Sequence, residues 1–316
     1  MSKTLTTEWD LCIDKRYSRI EQFRPLKPFI KWVGGKGQLL KNIATAYPVG
    51  MGTSYNKYVE PFIGGGAVLF DILSKYNLRD VYISDINREL IGTYIAIRDS
   101  VDKLIPLLLQ IQDEYLPLNN DDRKFYYYNK RDRYNELKID GTVSLECVAL
   151  FIFLNRTCFN GLYRINAKGL YNVPMGSYKT PLICDYENLQ NVSRILQNVT
   201  IVCGDYRKSY DFIDEQTFVY FDPPYRPLTE TAKFTSYTEN LFDDEAQRDL
   251  AEYVDRVSGK GAKVVLSNSD PKNIDIGDTF FDNLYSKHKI DRVLATRMIN
   301  RNSDSRGGIS ELLITN

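Results

Sequence analysis

Histidine is almost absent from this chain, and cysteine is scarce and scattered. The single histidine, His288, excludes the histidine–cysteine zinc signature of nucleobase deaminases, disfavours a histidine-based catalytic triad and is expected at the surface. The cysteines are odd in number and never spaced as CxxC, so they predict neither a disulfide framework nor a zinc knuckle. We expect reduced thiols, mostly buried, at Cys12, Cys147, Cys158, Cys184 and Cys203.

Long apolar runs are missing as well. No stretch approaches the roughly 18 apolar residues of a membrane span. Three acidic residues near the start, Glu8, Asp10 and Asp14, do not fit a signal peptide. The sequence therefore predicts a cytoplasmic protein.

The chain also has no net charge, because 41 basic and 41 acidic residues cancel. Nucleic-acid binding would then depend on a local basic face rather than on a basic total. One basic cluster, interleaved with aromatic residues, occupies residues 123–138, and a second consists of Arg292, Arg297, Arg301 and Arg306. Solvated helix faces explain the first cluster equally well.

The order of predicted elements indicates an α/β protein with a helical insertion. A length of 316 residues and an apolar fraction of 43% allow one large domain of this kind. Strands are predicted at residues 58–60, 81–84, 199–202, 218–221, 263–267 and 312–315, and helices at 38–46, 67–73, 88–98, 101–112, 125–137, 144–154 and 244–257. Residues 156–178, rich in Asn, Gly, Pro and aromatic residues, predict a hairpin-like loop.

The most informative motif is the tetrad Asp222, Pro223, Pro224 and Tyr225, which follows a strand-like run. The Asp222 carboxylate and the Pro223 carbonyl are suited to accept the two hydrogens of an amino group such as adenine N6, which leaves its lone pair free. Two prolines fix the backbone in advance, and Tyr225 offers a ring on which a base can stack. A strand followed by a simple proline turn is the structural alternative.

A second set of residues predicts a nucleoside site. Gly64 and Gly66 let backbone approach a ligand, and Asp85, which ends the next strand, is placed to accept from ribose hydroxyls. The glycine turn lacks the GxxxxGK[ST] phosphate cradle, so a nucleoside without phosphates fits best. S-adenosylmethionine is such a molecule, and an oriented amine can displace its methyl group without a metal. Lys36 is a candidate partner for its carboxylate, although a lysine in a glycine loop is usually only solvated.

Four motifs in order give a family resemblance: FIKWVGGKGQL at residues 29–39, PFIGGGAVLF at 61–70, SDIN at 84–87 and YFDPPY at 220–225. With them the chain resembles the Dam-type, D12 class adenine-N6 DNA methyltransferases over nearly all of residues 27–316. The resemblance implies a Rossmann-like, S-adenosylmethionine-dependent sheet with a mainly helical DNA-recognition insertion that carries a hairpin loop. It divides the chain into an N-terminal extension (1–26), a catalytic domain (27–90 and 184–316) and a target-recognition domain (91–183).

The resemblance also implies roles for particular residues. The cofactor contacts would be Trp32, Lys36, Phe62, Gly64, Gly66, Asp85, Asp205, Tyr206 and Asp222, with Asp205 and Tyr206 at the cofactor's adenine. Many members of the family read GATC in double-stranded DNA. For that site Lys31 and Tyr178 would read the first guanine, Leu162 and Pro174 the thymine methyl, and Arg164 the last guanine, which agrees with groove chemistry. Arg156, Phe159 and Asn160 would contact phosphates or fill the space of a flipped adenine, or Asn160 would turn the hairpin. Ser177 lies where the enteric relatives carry an arginine, so a DNA-backbone or flanking contact is either missing or supplied by another residue.

Other functions stay open from the sequence. A methyltransferase acting on a protein amide is one, although those relatives generally carry Asn in place of Asp222. A second is RNA methylation, which the deep, narrow major groove of an A-form duplex disfavours, and a third is a DNA-binding protein without catalysis. A bacterial or phage origin fits, pairing with a restriction endonuclease is one possible role, and neither a metal nor an oligomer is required.

Overall fold

The computed structural model describes residues 26–141, 143–226, 242–295 and 309–316. Nearly all of the predicted N-terminal extension, together with Cys12, therefore lies outside the described residues. So do three of the arginines in the second basic cluster: Arg297, Arg301 and Arg306.

The described residues form one seven-stranded sheet in the order β3-β2-β1-β4-β5-β7-β6. The strands are β1 (Lys57–Glu60), β2 (Asp80–Asp85), β3 (Val199–Cys203), β4 (Thr217–Phe221), β5 (Lys263–Ser269), β6 (Lys289–Ala295) and β7 (Ile309–Thr315). The first five are parallel, and β7 runs antiparallel between β5 and β6. Every residue of β1 and β4 is buried, as expected for central strands covered on both faces. The predicted α/β, Rossmann-like class is confirmed.

The helices begin at polar capping residues in several places. They are α1 (Leu40–Thr45), α2 (Ala67–Lys75), α3 (Arg88–Tyr115), α4 (Asn120–Ile139), α5 (Leu145–Thr157), α6 (Tyr186–Leu196), α7 (Asp244–Ser258) and α8 (Phe280–Leu284). Side chains of Asn87, Asn119, Ser144 and Asp243 accept amide hydrogens at the starts of α3, α4, α5 and α7. Short 3₁₀ turns include Lys36–Gln38 and Tyr206–Phe212.

The helices predicted at 88–98 and 101–112 are the two halves of α3, which meet at a kink at Ser100, where φ is −147°. The predicted break between them is confirmed at that residue. Neighbouring helices support the two halves on either side of the kink, because α3 packs on α5 and α6. The proposed domain boundary at residue 90 falls inside this helix, and the division into domains stays a prediction.

The segment after α5 forms the predicted hairpin-like loop. Antiparallel bridges join Cys158 to Met175 and Ile165 to Tyr171. The hairpin is anchored to the helical layer at its base, where the hydroxyl of Tyr127 on α4 donates to the Val173 carbonyl at 2.9 Å. The loop is therefore held in place by the helical insertion.

The first basic cluster lies on α4, and most of its charges have protein partners. Ion pairs join Arg133 to Glu146, Lys130 to Glu114 and Lys138 to Glu89. These pairs favour a structural role for the cluster over a free phosphate-binding face.

The histidine prediction is wrong, whereas the cysteine prediction is confirmed where it can be checked. The His288 side chain is only 7% exposed, because it packs beside Tyr285 and its Nε2 lies 2.7 Å from Asp255 Oδ1. Three of the described cysteines are buried and only Cys203 is exposed.

Candidate active site

Four predicted site segments meet along one edge of the sheet. Asp205 follows β3, Asp85 ends β2, the glycine turn follows β1, and Asp222 follows β4. These strands are parallel neighbours, so their carboxyl ends share an edge. The chain connections reverse direction between β1 and β4, and ligands of open α/β sheets bind at such a switch point. The tetrad and the glycine turn lie on either side of it.

The glycine turn is shaped by close packing. Gly64 and Gly66 have φ of +46° and +74°, a region that L side chains rarely adopt. A Cβ on Gly66 would lie 2.5 Å from the Tyr94 hydroxyl, and a Cβ on Gly64 would lie 2.8 Å from Trp32 Cδ1. The Tyr94 hydroxyl also donates to the Gly64 carbonyl at 3.1 Å. Tyr94 therefore supports the turn, although no local sequence signal identified it.

Asp85 presents a carboxylate that backbone amides hold in place. Its oxygens accept from the amides of Gly64 at 3.3 Å and Asn87 at 2.9 Å. Burial raises the pKa of Asp85 above its ordinary value, and the backbone amides partly offset this. A fixed acceptor at the carboxyl end of a strand suits the two hydroxyls of a ribose.

Aromatic rings lie along the same edge. Phe62 is 5.4 Å from the Tyr206 ring and 5.8 Å from the Phe242 ring, measured between centroids. Asp205 caps the turn that begins at Tyr206, and its Oδ1 accepts from the Arg207 amide at 2.9 Å. Aromatic rings beside carboxylates form a surface that suits a nucleoside, and the cofactor roles of Phe62, Asp205 and Tyr206 stay predictions.

Lys36 joins the glycine loop to the tetrad. Its Nζ lies 2.8 Å from Asp222 Oδ1 and donates to the Tyr225 hydroxyl at 2.7 Å. The Lys36 side chain is 3% exposed, so the solvated alternative is wrong. Burial alone would lower the pKa of Lys36, but the charges of Asp222 and Glu311 outweigh it and the pKa is raised. The Lys36 ammonium group therefore contacts Asp222 and Tyr225 of the tetrad.

Asp222 is held by two donors on one oxygen. Lys36 and the Ser267 hydroxyl, at 3.1 Å, both contact Oδ1. These two contacts do not involve Oδ2. Burial raises the pKa of Asp222, and Lys36 and Ser267 offset this only in part. Ser267, which also bonds the Tyr220 hydroxyl at 2.8 Å, was not predicted.

The two prolines of the tetrad lie in different environments. Pro223 is buried and Pro224 is exposed. The Pro224 carbonyl accepts from Gln247 Nε2 at 3.2 Å, which ties the tetrad to α7.

The hairpin brings several predicted DNA contacts to one surface. Lys31 Nζ lies 4.0 Å from the centroid of the Tyr178 ring, so the two predicted readers of the first guanine are neighbours. Phe159, Asn160, Arg164 and Pro174 are exposed, and Leu162 is half-buried. Asn160 has φ of +54°, which supports its role in turning the hairpin.

The two arginines predicted to contact DNA differ in how they are bonded within the protein. Arg156 Nη2 donates to the Phe29 carbonyl at 2.7 Å, and burial lowers its pKa, so the side chain stabilises the fold. Arg164 is exposed, and its Nε donates to Asn172 Oδ1 across the hairpin at 2.7 Å. Its Nη2 also donates to the Asn172 carbonyl at 3.3 Å, so the side chain is held along the hairpin.

Asn155 connects the recognition hairpin to the segment before the glycine loop. Its Oδ1 accepts from the Lys31 amide at 2.8 Å, and its Nδ2 donates to the Lys31 carbonyl at 2.7 Å and the Gly161 carbonyl at 3.2 Å. Beside it Trp32 stacks on Tyr163 of the hairpin, with centroids 5.5 Å apart. Sequence reasoning did not predict this connection.

The ranges that the structure describes contain no group of three or more histidine, cysteine, aspartate or glutamate side chains arranged to hold a metal ion. Within the same ranges, no helix has the length and apolarity needed to cross a bilayer.

Comparison with known proteins places the chain in a family. The sheet and the site define a Rossmann-like methyltransferase. The family model of the D12 class N6 adenine-specific DNA methyltransferases matches residues 32–299, and the chain belongs to this family. The resemblance found in the sequence is confirmed, and the protein is an adenine-specific DNA methyltransferase.

Similar proteins span nearly the whole chain. The chain is 48% identical to the type II methyltransferase M.MjaIII of Methanocaldococcus jannaschii, over 92% of this chain and 99% of that protein. It is 39% identical to the type II methyltransferase M1.LlaDCHI of Lactococcus lactis subsp. cremoris, over 92% and 95%. It is 33% identical to the DNA adenine methylase of Haemophilus influenzae, over 91% and 92%.

Proposed function

We propose that this enzyme uses S-adenosylmethionine to methylate N6 of a flipped adenine within GATC in double-stranded DNA. The observation that carries the proposal is the position of the tetrad. Asp222 follows β4 beside the glycine turn of β1, and its contacts with Lys36 and Ser267 do not involve Oδ2. An amino group presented there would lie next to the cofactor.

The tetrad performs the chemistry by orientation. Asp222 Oδ2 and the Pro223 carbonyl accept the two N6 hydrogens, and the Tyr225 ring carries the base. S-adenosylmethionine, when bound beside the tetrad, would supply an electrophilic methyl group to the N6 lone pair and leave as S-adenosylhomocysteine. Asp222 and Pro223 would keep that lone pair free for the methyl group, and the proton that N6 loses would pass to solvent. The Asp222 charge stabilises the positive charge that develops on N6.

Base flipping is part of the proposal because N6 lies inside the stacked duplex. An enzyme that acts on a base takes it out of the stack and reads it in a pocket. Phe159 and Asn160 are exposed on the hairpin, and we propose that they fill the space that the adenine leaves.

The hairpin provides the residues for reading GATC. Lys31 and Tyr178 would contact the first guanine, and their neighbouring positions support this pairing. Leu162 and Pro174 would contact the thymine methyl, and Arg164 the last guanine. Arg156 is omitted from these contacts because it is bonded to Phe29.

The proposed cofactor contacts come from the strand ends beside the tetrad. Asp85 would accept the ribose hydroxyls, Phe62 with Gly64 and Gly66 would line the methionine part, and Trp32 would pack against the turn. Asp205 and Tyr206 would hold the cofactor's adenine.

The experiment is transfer of a labelled methyl group from S-adenosylmethionine to three matched duplexes, followed by nucleoside analysis. One duplex contains GATC, one a scrambled site, and one GATC with its adenine already methylated. We expect N6-methyladenine only in unmodified GATC. Label in the scrambled duplex would overturn the specificity. No label with any DNA, alongside saturable GATC binding, would identify a binding protein, and transfer to RNA or a protein amide would replace the substrate.

Flipping has its own test. 2-Aminopurine placed at the target adenine fluoresces more strongly when it leaves the stack. We expect enhanced emission when the enzyme binds this GATC duplex and none with 2-aminopurine outside the site. Unchanged emission with full binding would contradict flipping.

The biological setting follows from the same proposal. We propose a cytoplasmic enzyme of a bacterium or phage that acts in functional pairing with a restriction endonuclease. The test is whether a nuclease encoded beside it cuts unmethylated GATC DNA and spares DNA that this enzyme has modified.

A further inference from the structure

Glu311 lies at the active-site edge although it comes from the far end of the chain. It is the third residue of β7, which runs antiparallel beside β5. Its backbone pairs with Ser269, the last residue of β5. The beginning of β7 therefore reaches the edge at which β4 delivers the tetrad. The Glu311 side chain is only 12% exposed there.

The carboxylate of Glu311 contacts the tetrad directly. The Tyr225 hydroxyl donates to Glu311 Oε2 at 2.7 Å. The same Oε2 lies 3.7 Å from Lys36 Nζ. Glu311 thus accepts the proton of a hydroxyl that itself accepts from Lys36 at 2.7 Å.

Neither neighbour can replace this acceptor. The Lys36 ammonium only donates, so it cannot take the Tyr225 proton. Asp222 Oδ1 is already shared by Lys36 and Ser267, and the proposed function assigns Oδ2 to the amino group of the substrate. A phenolic O–H lies in the plane of its ring, so a fixed acceptor restrains the orientation of the ring as well as its position.

We propose that Glu311 is a positioning residue that holds the Tyr225 ring in the orientation in which it receives the target base. The inference rests on the proposed function, because it requires a base to stack on Tyr225. Glu311 acts through Tyr225 and does not contact the reacting atoms.

The experiment compares Glu311→Ala, Glu311→Gln, Tyr225→Phe and the double variant Glu311→Ala with Tyr225→Phe. Each full-length protein is assayed for kcat and KM on the duplex that the wild type methylates best, and its fold is checked by circular dichroism. Glu252→Ala, an exposed position on α7, is the matched control.

We expect Glu311→Ala to lower kcat about tenfold, the effect of one lost hydrogen bond to a charged group, and Tyr225→Phe to lower it at least as much, because Tyr225→Phe also removes the bond from Lys36. The KM for S-adenosylmethionine should stay within about twofold, since Glu311 touches no predicted cofactor contact other than Lys36. The double variant should be no slower than Tyr225→Phe, because Tyr225→Phe already removes the bond to Glu311. Glu311→Gln keeps an acceptor oxygen and should recover most of the rate.

Three results would overturn the inference while leaving the proposed function intact. They are a Glu311→Ala kcat equal to that of the wild type, losses that multiply in the double variant, or a Glu311→Gln enzyme as slow as Glu311→Ala. If Glu311→Ala does not fold, the kcat values of Glu311→Gln and Tyr225→Phe still test the inference, because these substitutions nearly preserve the shape of the side chain. A wild type that methylates no DNA would instead overturn the proposed function, and the inference with it.

Discussion

Removal of either partner of the Lys36–Asp222 ion pair should destabilise the free protein, independently of any activity. The two charges are 2.8 Å apart, with side chains 3% and 21% exposed. Loss of one partner from a buried pair typically costs about 3–5 kcal/mol, because the other charge stays desolvated. Lys36 retains Glu311 at 3.7 Å. We therefore expect Asp222→Ala to cost about 2–3 kcal/mol, at or below the lower end of that range.

The double variant Lys36→Met with Asp222→Ala makes the prediction sharper. It removes both charges together, so it should cost little more than either single variant. The resulting coupling energy should be about 2 kcal/mol. The assay is equilibrium urea denaturation, followed by circular dichroism and tryptophan fluorescence so that coincident transitions can be checked.

The control is a solvent-exposed ion pair with a similar distance between nitrogen and oxygen. Lys289 and Asp291 are 2.7 Å apart, with side chains 72% and 47% exposed. Asp291→Ala should change the free energy of unfolding by less than about 1 kcal/mol, because water screens the pair. Additive losses at Lys36 and Asp222, with coupling below about 0.5 kcal/mol, would refute the ion pair in the folded protein.

Three further predictions concern other parts of the site. Lys31→Ala should lower kcat/KM for GATC by about 5–150-fold and relax discrimination at the first guanine, as measured on duplexes substituted at that base; an equal loss on all duplexes would contradict base reading. Gly66→Ala should lower the free energy of unfolding in urea by about 2–3 kcal/mol, because of the positive φ and the clash with the Tyr94 hydroxyl. Adding Tyr94→Phe should restore part of that stability. A Gly66→Ala protein as stable as the wild type would disprove the close packing. Burial raises the pKa of Asp222, and Lys36 partly offsets this, so Lys36→Met should raise that pKa further. The acid limb of the plot of kcat/KM against pH should then move to higher pH. An acid limb that does not shift would contradict this.

The parts of the site that follow short apolar runs were predictable from the sequence. The runs that became β1, β2 and β4 end in glycine, aspartate or proline, and these endings locate the strand ends without any tertiary information. Parallel pairing then brings the strand ends together. Asp85 and Asp222 were found in this way, and the structure places both at the same edge.

The residues that the sequence did not reveal act through distant contacts. Tyr225 and Glu311 are 86 positions apart, and Lys31 and Asn155 are 124 apart. A glutamate in a strand or an asparagine in an apolar helix gives no local sign of its partner.

Asn155 has a thermodynamic consequence for the two substrates. Lys31 and Trp32 are adjacent in the chain, yet one lies on the predicted DNA surface and the other packs on the glycine turn. Asn155 bonds both the amide and the carbonyl of Lys31, so we expect a shift of this segment at the DNA surface to move its neighbour at the glycine turn. If the two sites are coupled in this way, the factor by which cofactor changes the Kd for DNA must equal the factor by which DNA changes the Kd for cofactor.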